Sequence, residues 1–137
     1  MPRVCLLLLL TAALAACGAR QVKTERKGRI ITLTDTILDT GGTDTVRFGR
    51  LHSGEIAQLR LRLANETSGP VVIAKYGRSC GCTTLEYDNQ PINAGDAQQV
   101  TLTFDARGEW GWQLKTLDVS FAGARSPLRL FIEAEVE

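Results

Sequence analysis

An all-β fold is the class this sequence predicts: an immunoglobulin-like β-sandwich of about seven antiparallel strands, preceded by a signal peptide and a flexible tether. Three observations predict it. From residue 45 onward, apolar and polar side chains alternate with period two in successive short runs. Clusters of Gly, Pro, Asn and Asp separate the runs. No helical period of useful length interrupts them. A small antiparallel barrel would show the same alternation and stands as the alternative.

The chain opens with an apolar run, Val4 to Ala16, of 13 residues. A helix needs about 20 apolar residues to cross a bilayer, so this run is too short to span and has the length of a signal h-region. Arg3 is the sole charged side chain before it. The string Leu14-Ala15-Ala16-Cys17 resembles the bacterial lipobox, in which small residues precede the cleavage point and the cysteine thiol takes the lipid. That resemblance implies a signal peptide over 1–16 and two or three acyl chains, palmitate among the usual ones, on Cys17. Two chains anchor stably where one does not. Residues 18–29 carry Arg20, Lys23, Arg26, Lys27 and Arg29 against Glu25 alone, with no apolar period. They read as a tether, so 17–42 is assigned to the lipidated N-terminus and tether. Within it, residues 30–34 have strand composition, as a leading strand or an extended arm. No acidic cluster follows Cys17, which favours a periplasm-facing protein of the outer membrane over a surface-exposed one.

The folded domain is assigned to 43–137. Asp39 to Asp44 is a turn-rich break. Thr45 to Phe48 alternates and is closed by Gly49. In Ala57 to Leu63 the leucines share one face, with Arg60 and Arg62 on the other, as in a half-buried sheet. Asn65 to Pro70 turns the chain, and Val71 to Ala74 follows the proline. Leu85 and Tyr87 share a face after a Cys-Gly-Cys segment; Pro91 to Asp96 is turn chemistry. Val100 to Phe104, Leu117 to Phe121 and Leu128 to Val136 complete the inward rows.

Charge and cysteine usage bound the function. Removing Arg3 with the leader leaves 15 basic and 15 acidic residues, a neutral chain without the basic excess of a nucleic-acid binder. There is no nucleotide-binding glycine pattern, no nucleophile elbow and no metal-spaced His-Glu pair, so no enzyme and no cofactor are expected. Of four cysteines, Cys5 leaves with the leader and Cys17 takes the lipid. Cys80 and Cys82 alone belong to the body, too few for a disulfide-stapled scaffold.

Several strings taken in order resemble one family: Thr45-Val46-Arg47-Phe48-Gly49, Leu59 to Asn65, Arg78-Ser79-Cys80-Gly81-Cys82-Thr83, Pro91-Ile92-Asn93-Ala94-Gly95 and Phe104-Asp105-Ala106-Arg107-Gly108. The chain is similar to bacterial lipoproteins carrying domain of unknown function 1573, from about Thr43 to the end. The resemblance implies an immunoglobulin-like sandwich related to the major sperm protein and Hydin-type domains, and it carries no activity. Trp110 and Trp112 depart from the pattern, crowding a turn where smaller residues or Phe are usual.

Cys80-Gly81-Cys82 is the chemically unusual segment. In a regular strand, residues i and i+2 lie over about 6 Å apart, beyond disulfide reach. Gly81 permits the tighter backbone that brings the sulfurs together, and the resulting small ring would be readily reduced. Two thiolates on a tight loop also suit Cu(I), whereas a tetrahedral zinc site would need His52 plus a carboxylate, or a second chain. Arg78 and Lys75 stand close enough in sequence to favour a thiolate. Structural cysteines, redox chemistry and metal capture are thus three open readings. His52 falls in a turn and reads as a solvated loop residue. Asp35, Asp39 and Asp44 lack calcium-loop spacing. Trp110 and Trp112 share strand parity; core packing is the leading expectation, and the alternative is that one fills the core while the other is an exposed contact of the kind that marks interfaces.

The functional expectation is a lipid-anchored envelope protein that binds another envelope protein without catalysis. The alternative is a periplasmic thiol redox or copper-binding protein acting through Cys80 and Cys82. A structural envelope component without a specific ligand fits the same sequence. Cells fed a labelled lipid precursor should label the wild type and not Cys17→Ser, which should also leave the membrane fraction. An unlabelled, soluble wild type would refute the anchor.

Overall fold

The structure, a computed structural model, describes residues 23–137. The expected signal peptide and Cys17 lie outside the described residues. Eight strands and one short helix follow in the order β1 (Lys23–Leu33), α1 (Asp35–Thr40), β2 (Gly42–Leu51), β3 (Ile56–Asn65), β4 (Ile73–Arg78), β5 (Thr83–Glu86), β6 (Ala97–Asp105), β7 (Gly111–Phe121) and β8 (Leu128–Val136). They form two open four-stranded sheets, β1-β3-β6-β5 and β2-β8-β7-β4. The architecture is the two-sheet sandwich, not the closed barrel.

Alternation builds the interior. Leu59, Leu61 and Leu63 of β3 face Leu128, Leu130 and Ile132 of β8 across the sandwich, each at most 5% exposed, while Arg60 and Arg62 point to solvent. Phe48 and Phe104, one from each sheet, meet with ring centroids 5.7 Å apart. Removing these rows from water, at about 25 cal/mol per Å² of apolar surface, is the main stabilising term.

Among the described residues the seven strands expected of the domain are β2 to β8, and β1 takes in the possible leading strand at 30–34. The pairing departs from the all-antiparallel expectation: two neighbouring pairs, β1 with β3 and β2 with β8, run parallel. Period two reports which face a residue occupies but not the direction of the neighbouring strand. Here the chain passes to the opposite sheet between β1 and β3, so β3 returns in the direction of β1. Where residues 18–29 read as a tether, β1 begins at Lys23 and pairs with β3 over its length. A charged edge strand lacks the apolar alternation of a half-buried one, and charges on an edge discourage pairing with another chain. The turn-rich break expected over 39–44 is instead the last two residues of α1, then Gly41, then the first three of β2; α1 is capped by the Thr34 hydroxyl accepting from Ile37 N. β4 starts later than Val71, which instead makes an isolated bridge to Ile92.

The end of the sandwich opposite the Cys-Gly-Cys loop is locked by a buried polar residue. Asn65, 1% exposed, donates through Nδ2 to Gly69 O (2.8 Å) and Ile92 O (2.7 Å). Its Oδ1 accepts from Thr67 N (2.9 Å) and the Thr67 hydroxyl (2.6 Å). Every bonding position of the amide is filled, so its burial carries no unpaired polar cost. On the outer face, Asp118 and Arg129 sit opposite each other in β7 and β8 and make two 2.8 Å bonds. The Arg129 guanidinium holds the Asp118 carboxyl below the usual carboxylate range. Because the folded-state value is the lower one, this contribution is present above the ordinary carboxylate range and fades as pH falls through the lowered value.

Gly28 sits where the β1–β3 register shifts between Lys27 and Ile30. A Cβ there would stand 2.1 Å from Arg60 O, a backbone atom that cannot swing aside. Gly28→Ala should therefore cost about 1–3 kcal/mol in urea unfolding and speed amide exchange along β1. Unchanged stability would show that β1 does not approach β3 this closely.

Candidate functional site: the Cys-Gly-Cys crossover

Three connections gather at one end of the sandwich: β2 to β3 (52–55), β4 to β5 (79–82) and β6 to β7 (106–110). Backbone bonds tie them together, Ala106 N to Glu55 O and Asp105 N to Cys82 O, both 2.8 Å. β4 edges one sheet and β5 edges the other, so Ser79 to Cys82 is the segment that carries the chain between sheets. It has no ladder of its own. Ser79 instead exchanges bonds with Thr116 of β7: its N donates to Thr116 O (3.0 Å), and its hydroxyl accepts from Thr116 N (2.9 Å). On the far side, Arg78 Nη1 donates to Thr83 O (2.9 Å), and the fully buried Thr83 sends its hydroxyl to Cys80 O (3.3 Å).

Within this frame Cys80 and Cys82 form a disulfide, their Cα atoms 5.1 Å apart. Gly81 is exposed, with nothing within 4 Å of where its Cβ would be. Cys82 N donates to Cys80 Sγ at 3.0 Å.

The structure adds Glu109, a residue that the sequence does not single out. Glu109 brings Oε1 to 4.0 Å from Cys80 Sγ, while Oε2 lies 3.5 Å from Lys115 Nζ. In the disulfide this sulfur carries no hydrogen, so the approach is a contact. Cys80, Cys82 and Glu109, all half-buried, hold their ligand-capable atoms within 4.8 Å of one another. Nothing in the spacing from residue 82 to 109 signals this; it follows from β5 pairing with β6, whose end leads into the Glu109 turn. His52 does not belong to the cluster; it is exposed, and its N donates to Glu55 Oε2. Arg78 donates to the Thr83 carbonyl, and the cation paired with the cluster's carboxylate is Lys115. Asp105, beside the loop, is held below the usual carboxylate range by Arg107. Asp35, Asp39 and Asp44 are engaged separately by Ser68, Arg125 and Arg29.

Trp110 and Trp112 correct the expectation of core packing: they are 69% and 62% exposed. The inward row of β7 is Leu117, Val119 and Phe121, so an even-numbered residue of the same strand must face out. Leu114, 45% exposed, continues that outward row. A surface depression of about 630 Å³ lies elsewhere, lined by Ala74, Glu86, Tyr87, Asp88, Asn89, Gln99 and Thr101, with neither cysteine nor histidine.

Residues 40–136 match the family described as protein of unknown function (DUF1573), and the chain belongs to it. No curated protein matches the sequence. Among solved structures, a protein of unknown function from Porphyromonas gingivalis W83 is similar, with 17% identity and a TM-score of 0.58 over 66% of this chain and 43% of that one. The chain thus spans less than half the length of that protein, and the likeness shows the fold alone. A multi-copper oxidase from Pseudomonas thermotolerans (14% identity, TM-score 0.42) covers 84% of this chain and 30% of its own. PbICP-C, solved in complex with falcipain-2, has 13% identity and a TM-score of 0.38, covering 80% of this chain and all of its own. Neither likeness is close enough to support an argument.

A disulfide between residues two apart closes a very small loop, so loop-closure entropy limits its stabilisation to about 1.5 kcal/mol. Replacing both Cys80 and Cys82 with Ser should cost about that much in urea unfolding, since the Ser79, Thr83 and Asp105 bonds still hold the crossover. A loss of several times that amount would make the disulfide a major staple.

Proposed function

We propose that this chain is a lipid-anchored protein of the outer membrane, facing the periplasm, whose sandwich acts as a non-catalytic interaction module for another envelope protein. The observation that carries the reading is the outward row of large apolar side chains, Trp112 and Leu114, with Trp110 in the turn before them. Beside Trp112 lies a depression of about 210 Å³ bordered by Arg47, Arg50, Glu133 and Glu135. An aromatic centre with a charged rim is the anatomy of a protein-binding patch, and tryptophans contribute disproportionately to such contacts. The proposed membrane link is through Cys17. β1 starts beside the first residue of β3, so the patch lies toward the end of the sandwich where the chain enters. A partner at the membrane surface is therefore within reach. No nucleic acid, nucleotide or cofactor is part of the reading.

The second reading, a periplasmic thiol redox or copper-handling protein, is favoured by one observation: a disulfide at a half-buried crossover with a carboxylate 4.0 Å from one sulfur.

A photo-cross-linking residue at Trp112 should give a discrete protein adduct in intact cells, and one at the exposed Gln99 on the other sheet should give none. With the cross-linker placed at Leu114, Trp110→Ala and Trp112→Ala together should abolish the adduct while changing stability by under about 0.5 kcal/mol. Adducts of equal yield from positions 112 and 99, or an adduct insensitive to the Trp substitutions, would refute this surface.

A further inference from the structure

We propose that the reduced form of the crossover is a binding site for a divalent cation of the zinc class, with Cys80, Cys82 and Glu109 as ligands, Lys115 beside them and the fourth position open. The proposal rests on the thiol reading, because the disulfide must first be opened. A dithiol reductant does this with balanced electrons: the protein disulfide gains two electrons and two protons and becomes two thiols, and the reductant becomes its own disulfide. Binding then releases the two thiol protons as the metal–sulfur bonds form.

The ligand distances suit such an ion. In a tetrahedral zinc site with bonds of about 2.3 Å to sulfur and about 2.1 Å to oxygen, the sulfur–oxygen separation is about 3.6 Å and the sulfur–sulfur separation about 3.8 Å. Glu109 Oε1 already stands 4.0 Å from Cys80 Sγ, within half an ångström of that requirement. The two sulfurs, no longer bonded, reach their separation by side-chain rotation from Cα atoms 5.1 Å apart. The carboxylate is oriented for the task, since Lys115 engages Oε2 and leaves Oε1 toward the sulfurs. The N–H of Cys82, 3.0 Å from Cys80 Sγ, is placed to stabilise a thiolate.

Charge selects the ion. Two thiolates and one carboxylate carry three negative charges; a divalent cation and Lys115 balance them, whereas Cu(I) leaves a net negative charge in a half-buried site. Thiolates select against magnesium and calcium, which prefer oxygen. Because a closed disulfide offers no thiolate, oxidation empties the site.

The test uses the full chain in detergent with Cys5→Ser and Cys17→Ser, so that Cys80 and Cys82 are the remaining thiols. After reduction and removal of reductant, thiol titration should find two thiols. Cobalt(II), the spectroscopic stand-in for zinc, should then give one equivalent of sulfur-to-metal charge-transfer absorption and tetrahedral visible bands, removed by zinc. Glu109→Gln should weaken cobalt binding about 10- to 100-fold and alter the visible bands, with an unchanged far-UV spectrum; Lys115→Met should weaken it less. Two titratable thiols with no cobalt absorption at about tenfold excess would overturn the metal site and leave the thiol reading standing. No thiols after reduction would overturn both. Unaltered binding in Glu109→Gln would overturn the three-ligand assignment, and tight Cu(I) binding without cobalt or zinc binding would overturn the charge argument.

Discussion

The sandwich depends on two apolar rows that have no other place to go. Leu59, Leu61 and Leu63 on one sheet and Leu128, Leu130 and Ile132 on the other leave water by facing each other. Each strand that joins either sheet must present its own row to the same interior. This fixes register strictly, because a slip of one residue would turn leucines outward and arginines in. It also forces the chain to cross repeatedly between layers, and the crossings are where backbone groups lose their ladder partners. Asn65 solves that problem at one end with its side-chain amide, and the Ser79, Arg78 and Thr83 bonds solve it at the other.

The amino-acid sequence announces what depends on local alternation. The inward residues of β3, β6, β7 and β8, the outward arginines of β3 and the turns at Asn65 and Pro91 are all legible in it. What it conceals is relational. The parallel pairing of β1 with β3 and β2 with β8 depends on which sheet the intervening strand joins, and no single run encodes that. β1 itself is hidden because its first half is charged; a strand with one open edge need not alternate. The tryptophans show the opposite case, since Trp112 is one parity step away from Leu117 and the pattern already contained its outward orientation.

The candidate site divides in the same way. A disulfide across Gly81 is accessible to local reasoning, because ring closure depends on three residues. Glu109 is not, because it enters through the β5–β6 pairing and the turn that follows β6. Conversely, His52 sits at the same end of the molecule and still takes no part, since its connection is held by Glu55 and by the Glu137 carbonyl. Sharing an end of a sandwich does not place two side chains in one site; the registers of the intervening strands decide that.

The parallel attachment of β1 has a mechanical consequence. β1 lies along β3 with nine paired positions, beginning beside the first residue of β3. A pull on the N-terminal end of β1, directed along the strand, loads these rungs side by side and not one after another. The domain should thus resist being dragged from that end by shear, failing abruptly at high force, whereas a hairpin pulled apart from its open end would unzip gradually under a lighter load.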